Sequence, residues 1–382
     1  MNGAVRAAVM RAPGELQVEQ FPYPEPEHGA VLLRILYSGI CGTDKHTWRG
    51  ESKQYAGTAH ERDAGFPLIC GHENVGVIEA IGPGPAPVDE RGTPLEVGDR
   101  VVPTANLTCG RCVFCLDDRF PYYMCAATED YGNSLTCARA PHLFGGWSER
   151  MYLLAGTRLF RVPDQVDSQL AAMTELLSVT HGLDMAAALP GAGRFRPGDT
   201  VLAIGAGPLG MMHLLKAELM GAGRLIAIDM AQRRLELARA RGVDLTLDAR
   251  SLSHEEVAGA VRDATAGMGA DVVIDCSGHH RTFAQALALA RPGGTVIEAG
   301  AFVDTGRAEI DPNRDICIKN ITVLGIGGDD AGRYGDSLRL LGRHSERFRP
   351  LITRVIGLDQ VASELEDGGA MKVLVAPNGG EA

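Results

Sequence analysis

Apolar residues in this chain fall into short runs bounded by turn formers, and the rhythm of those runs changes partway along. Val31 to Tyr37 (VLLRILY), Val75 to Ile81 and Arg100 to Val102 read as strands separated by PEPEHG, GPGPAPVDERG and LEVGD. The first part is therefore expected to be β-rich. Beyond about Leu170, runs of four to six residues alternate with helical periodicity. TVLAI leads to a helix ending near Met220, RLIAI to one ending at Arg241, and DVVID to one ending near Ala290, followed by GTVIEAG and ITVLGI. That alternation predicts a doubly wound parallel sheet with helices on both faces. From about Gly332 there remain one helical stretch (YGDSLRLLGRH), an extended segment (LITRVIGL) and a last apolar strand (KVLVA). They are too few to enclose a core, so they are expected to rejoin the first part. The expected division is 1–176, 177–326 and 327–382.

One strand-to-helix junction carries a chemical pattern. Gly205-Ala206-Gly207-Pro208-Leu209-Gly210 directly follows TVLAI and opens the next helix. G-x-G-x-x-G means little by itself in a chain with 48 glycines. Here it sits between a strand and a helix, and Asp229 ends the following strand 22 residues beyond Gly207. Glycines at these positions permit a tight turn and close approach of the backbone to a pyrophosphate, the helix N-terminus offers unpaired N–H groups, and the acid accepts ribose hydroxyls. A dinucleotide site is expected. Asp229 would repel a 2′-phosphate, which favours NAD over NADP; Arg233 and Arg234 on the next helix pull the other way, and Arg234 is counted with the cofactor-binding residues.

Composition narrows the rest. The formal charge of −11 leaves little to hold a phosphate backbone, so nucleic acid is not an expected partner. The longest apolar region, Val201 to Leu215, is broken by glycines, Pro208 and His213, short of the ~18 uninterrupted residues of a membrane span. With no signal-peptide pattern around Arg6 and Arg11, a cytoplasmic protein is expected. Nine cysteines is an odd count, and four of them form Cys109-x2-Cys112-x2-Cys115-x9-Cys125. Such crowding reads as a closed tetrahedral thiolate site for zinc, which would stabilise a lobe and leave no position open for chemistry.

A second constellation is dispersed: Cys41 in GICGTDKH and His72-Glu73 in GHENVG. The succession GICGTD, GHENVG, four-cysteine lobe, GGWSER and a strand leading into GAGPLG resembles the zinc-dependent medium-chain alcohol and polyol dehydrogenases, in particular their sorbitol and threonine dehydrogenase-like branch. The resemblance spans essentially the whole chain. It implies a GroES-like catalytic domain beside a Rossmann-type NAD domain, assembled as a homodimer or homotetramer. It also implies a second, catalytic zinc held by Cys41 and His72, with Glu73 a direct or switchable ligand. Glu175 falls where this branch carries a glutamate, and would either bind the metal or hold its water. Asp44 would orient the zinc histidine, and Thr43 and His46 would relay the substrate proton outward. Thiolate, imidazole and carboxylate donors leave a coordination position for a substrate oxygen, as metal-assisted ionisation of a hydroxyl requires. With Trp48, Tyr131 and Asn133 as mixed aromatic and polar pocket walls, the implied reaction is oxidation of a secondary alcohol, preferably a diol, polyol or cyclitol, to the ketone. The alternatives are a zinc enzyme for hydrophobic alcohols or aldehydes, a zinc-free quinone or enoyl reductase, and a nucleotide-binding protein without turnover.

The chain departs from that pattern in two spacings. Thirty residues separate Cys41 from His72, and the added segment, TWRGESKQYAGTAHERDAGF, contains His60. Nine residues rather than the usual seven precede Cys125. Cys137 and His142, in EDYGNSLTCARAPHLFGGW, are read as packing or pocket wall rather than as a metal pair, and Cys70, Cys276 and Cys317 as structural.

Overall fold

A computed structural model of the chain describes residues 3–51, 53–54, 61–117, 119–125, 127–367 and 369–380; His60 and its neighbours 55–59 lie outside them. The chain forms two compact units, Met1–Glu175 with Ala331–Ala382, and Leu176–Asp330.

The first unit is built around Val31–Gly39, whose run of apolar residues is buried along nearly its whole length. Glu73–Ile81 pairs antiparallel with one edge of it, followed by Arg100–Pro103 and Leu159–Arg161. On the other edge Arg150–Leu153 pairs near its start and Lys372–Val375 near its end, the latter parallel to Ile352–Ile356. The last strand of the chain thus lies beside the strand that leads to Cys41. A smaller sheet of Glu15–Pro22, Ala4–Ala12 and Leu68–Ile69 shares the apolar core, where Trp147, Tyr131, Phe144 and Tyr152 are the bulkiest members.

The second unit is a six-stranded parallel sheet in the order Leu245–Asp248, Arg224–Asp229, Thr200–Ile204, Ala270–Asp275, Ala290–Glu298 and Thr322–Gly325. Numbered along the chain this order is 3-2-1-4-5-6, the doubly wound arrangement whose direction reverses beside the first strand. Ligands bind such sheets at the carboxyl ends flanking that reversal, which is where GAGPLG lies. Among the described residues no helix is long and apolar enough to cross a membrane.

Candidate functional site

Cys41 caps the short helix Gly42–Trp48 in extended backbone, and Asp44 Oδ2 accepts its N–H at 2.8 Å. His72 and Glu73 arrive on the adjacent strand, whose register sets Glu73 opposite Gly39. A Cβ on Gly39 would collide with the Glu73 carboxylate, so glycine there makes room for the acid. The result brings one ligand atom each from Cys41, His72 and Glu73 within 4.8 Å of one another. Glu175, in the helix Thr174–Ser178, is buried and its charge acts on His72 and Lys372, but it stands outside that three-residue cluster.

Negative charge is concentrated here. Asp44, Glu73 and Glu175 are all buried, and burial pushes the Asp44 carboxyl above its usual range. Burial alone would lower the His72 pKa, yet Cys41, Asp44 and Glu175 outweigh it and raise it well above 6.5. His72 Nδ1 faces Asp44 Oδ1 at 3.8 Å, so the carboxylate can orient the ring. The counter-charge is Lys372, 1% exposed, from the last strand. Its Nζ donates to the Ile40 carbonyl at 3.0 Å and forms an ion pair with Glu73. Burial opposes its charge, but Glu73, Cys41 and Glu175 hold the ammonium above its ordinary range. Three buried carboxylates are answered here by Lys372 and by the imidazole of His72, and a divalent cation held through the ring nitrogen would take over the imidazole's share of that counter-charge. Glu73 Oε1 is moreover a buried acceptor without a hydrogen-bond partner. Mixed sulfur, nitrogen and oxygen donors suit zinc.

Thr43 and His46 stand three residues apart on the helix and so share a face. Thr43 Oγ1 lies 3.8 Å from Cys41 Sγ, and His46 Nδ1 lies 2.9 Å from Glu51 Oε2.

The four-cysteine lobe satisfies a stricter geometric test. Cys112 and Cys115 sulfurs are 3.5 Å apart, those of Cys109 and Cys115 3.9 Å, and all four, Cys125 included, fall within 4.8 Å. A tetrahedron with metal-sulfur bonds of ~2.3 Å has edges of ~3.8 Å. The Arg111 N–H lowers the Cys109 pKa to about 6, so one thiolate is prepared near neutrality. The Cys112 thiol is pushed up to about 11 by burial and its bond to Cys115, as expected when thiols that close share their protons.

In the second unit, Gly205 adopts a φ of +94°, which side chains resist, and a Cβ on Gly210 would collide with the Gly205 carbonyl. Gly207 caps the helix Pro208–Leu219, which Leu209 enters behind the proline. The Asp229 carboxylate accepts the Ala206 N–H and the Ala231 N–H, both at 2.8 Å, which holds it under the turn with lone pairs to spare. Arg234 Nη1 lies 3.5 Å from Asp229 Oδ2, and a Cβ on Gly207 would come within 3.6 Å of it. The turn, the helix start and the acid fit a dinucleotide. At the carboxyl end of the adjoining strands, burial and Asp275 push Glu298 up to about 7.

Two expectations need correction. Tyr131 is fully buried and its hydroxyl is engaged by Thr157 Oγ1 at 2.7 Å and the Leu154 N–H at 2.8 Å, so it is a core residue and offers a substrate nothing. Cys317 is exposed rather than structural. Trp48 packs partly buried against the core, and Asn133 keeps a buried Oδ1 without a partner. Lys372 and Glu51 are the polar residues at the site that sequence reasoning missed. The only sequence signal for Lys372 was a lone charge opening the apolar run KVLVA.

Comparison with known proteins agrees with this architecture. Residues 27–164 match the alcohol dehydrogenase GroES-like domain, and residues 208–343 match the zinc-binding dehydrogenase family. A probable alcohol dehydrogenase of Mycobacterium tuberculosis is 32% identical over 94% of this chain and 92% of its own length. A probable D-xylulose reductase A of Aspergillus fumigatus is 29% identical over 95% and 94%. Among solved structures, an alcohol dehydrogenase from Thermotoga maritima superimposes with a TM-score of 0.87 at 29% identity, covering 98% of this chain and all of that one. A structure from Sinorhizobium meliloti bound to NADP gives 0.81 at 26% identity, covering 98% and 100%. The chain belongs to the zinc-type medium-chain dehydrogenases, with a GroES-like domain and a Rossmann-type sheet. It is an oxidoreductase of the alcohol dehydrogenase kind.

Proposed function

We propose that this chain oxidises a secondary alcohol bearing a second oxygen, a vicinal diol, polyol or cyclitol, to the ketone with NAD, and that it holds two zinc ions. The convergence of Cys41, His72 and Glu73 within 4.8 Å, among the buried carboxylates Asp44 and Glu175, carries the reading. Zinc, when bound, acidifies the substrate hydroxyl, and NAD accepts the hydride. Cys41 and His72 would anchor the metal; Asp44 keeps the imidazole oriented; Glu73 is held back or released by Lys372; Glu175 would bind the metal or its water. Thr43 and His46 carry the proton away from the alcohol oxygen. Cys109, Cys112, Cys115 and Cys125 would hold the other zinc and keep their lobe folded. The thiolate lobe, which gains from reduced cysteines, suits a cytoplasmic setting.

Two features support the polar substrate. Thr43 carries its hydroxyl next to Cys41, Asn133 keeps a buried Oδ1 free of protein partners, and buried polar groups left unpaired cost ~1–3 kcal/mol each. The likeness to a D-xylulose reductase points the same way. NAD is preferred because Asp229 is held where a 2′-phosphate would meet its charge, while Arg234 beside it tempers the preference. A homodimer or homotetramer is supported by the open edge strand Thr322–Gly325, which exposes Val323, with Ile318 exposed nearby.

The test is kcat/KM for 2,3-butanediol, myo-inositol and sorbitol against 2-butanol, cyclohexanol and 2-octanol, with NAD and with NADP. Diols and polyols are expected to lead with NAD, and Asp229→Ala to move the preference toward NADP. A consistent lead for the mono-alcohols would refute the substrate class, and equal kcat/KM for the two cofactors the role of Asp229.

A further inference from the structure

We propose that Glu51 is a positioning residue: its carboxylate holds His46 in the Nδ1–H tautomer, so that Nε2 is the nitrogen free to take up a proton. This rests on the reading of His46 as the outer base of the proton relay.

The backbone brings the two residues together. The helix Gly42–Trp48 ends with Gly50 in the left-handed region at φ +73°. The Gly50 N–H donates to the Thr47 carbonyl at 3.1 Å, and the Glu51 N–H donates to the His46 carbonyl at 2.9 Å. Together these two bonds form a Schellman turn, which lays the second residue past the helix end against the third residue from that end. In most such turns that contact is apolar. Here it joins His46 to Glu51, and the side chains meet as well, Nδ1 to Oε2 at 2.9 Å. Gly50 is needed twice over, since a Cβ would also press on Pro13 at 3.2 Å. The turn belongs to the segment whose length departs from the usual spacing between the cysteine and histidine motifs.

An ionised carboxylate can only accept, so the shared hydrogen resides on Nδ1 and the Nε2 lone pair remains available. A proton leaving the alcohol by way of Thr43 arrives at Nε2 and converts His46 to imidazolium. Glu51 stays a carboxylate and offsets that charge. Loss of the Nε2 proton to water restores the neutral ring. The His46 and Glu51 side chains are 25% and 50% exposed, so the pair adds little to stability and its effect is orientational.

Histidine-specific 15N labelling of the zinc-loaded protein, with His46 assigned by its loss in His46→Gln, reads the tautomer directly. The parent is expected to show Nδ1–H, and Glu51→Ala to revert to Nε2–H with Tm unchanged. Nε2–H in the parent, or Nδ1–H persisting in Glu51→Ala, overturns the proposal whatever the kinetics. In pH profiles of kcat/KM for the fastest alcohol of the panel, Glu51→Ala is expected to fall roughly tenfold at pH 7 and rejoin the parent near pH 10, with partial recovery in Glu51→Asp. If His46→Gln is displaced while Glu51→Ala runs parallel to the parent, Glu51 has no part and the relay stands. If His46→Gln itself runs parallel to the parent, the relay reading fails.

Discussion

The buried charge of Lys372 would link folding to metal occupancy if a cation binds beside it. Its partner Glu73 is wholly buried, and removing one member of such a pair strands the other away from water at a cost of about 3–5 kcal/mol. Lys372→Met is therefore expected to destabilise the metal-free chain by about 3 kcal/mol and the zinc-loaded chain by clearly less, because the bound cation neutralises Glu73 instead. Thermal unfolding with and without a chelator measures both; equal losses would mean that lysine and metal act independently. The four-cysteine set stands out in the sequence because four thiols at such spacings have few other uses, whereas the dispersed Cys41 and His72 were reached only through the family resemblance. Lys372 was not legible, since its partner lies about 300 residues away and a lysine at the start of a strand ordinarily faces water. Tyr131 misled for the opposite reason. Its neighbours Asp130 and Asn133 suggest a polar wall, while the groups that bind its hydroxyl come from a later loop.

At the scale of elements, five of the six strands of the second unit were legible because each of the five is a short, nearly continuous apolar run. Leu245–Asp248 escaped because it is an edge strand only partly buried, and the helix His254–Ala264 went with it, although Ser253 and Glu256 form a capping box that announces its start. The N-terminal pair Ala4–Ala12 and Glu15–Pro22 was also missed, despite the Pro13-Gly14 turn between them. Among its described residues the cysteine lobe has only the short helices Val113–Leu116 and Tyr122–Met124, so a metal bound by its four thiols would supply much of its order. Cys112→Ser is expected to remove one zinc of two by metal analysis, lower Tm and leave part of the activity; complete loss of turnover with fold and both metals intact would contradict a structural role. The strand Ala290–Glu298 makes a separate prediction. Glu298 Oε1 accepts the N–H groups of Gly300 and Ala301, and burial, with Asp275, raises its pKa from 4.5 to about 7. The native state then binds more protons than the unfolded one between those values, so this group's contribution is present at low pH and lost as pH rises through about 7. Glu298→Gln mimics the protonated form. It should match the parent near pH 5 and exceed it at pH 8 by on the order of 1–3 kcal/mol in denaturant unfolding. A constant difference across that range would refute the shift.

For the whole molecule, both candidate metal clusters belong to one unit and the dinucleotide turn to the other. Chelation is therefore expected to lower the unfolding temperature of the first unit and NAD to raise that of the second, seen by calorimetry as two transitions that move separately. A single transition responding equally to both agents would show that the units unfold as one. The two units also differ in how their residues are ordered along the chain. Leu176–Asp330 is one continuous stretch, whereas the first unit is interrupted by it and completed only by Lys372–Val375 beside Val31–Gly39. During synthesis, Cys41 and His72 leave the ribosome long before Lys372. At roughly 5–20 residues per second, His72 precedes it by roughly 15–60 s. For that interval the nascent chain carries exposed thiols, an unpaired Glu73 and an open sheet edge, while the interrupting unit can already fold. Metal captured early would have to be held without the lysine that later shares its site, so the rate of translation between His72 and Lys372 sets how long that incomplete site must wait.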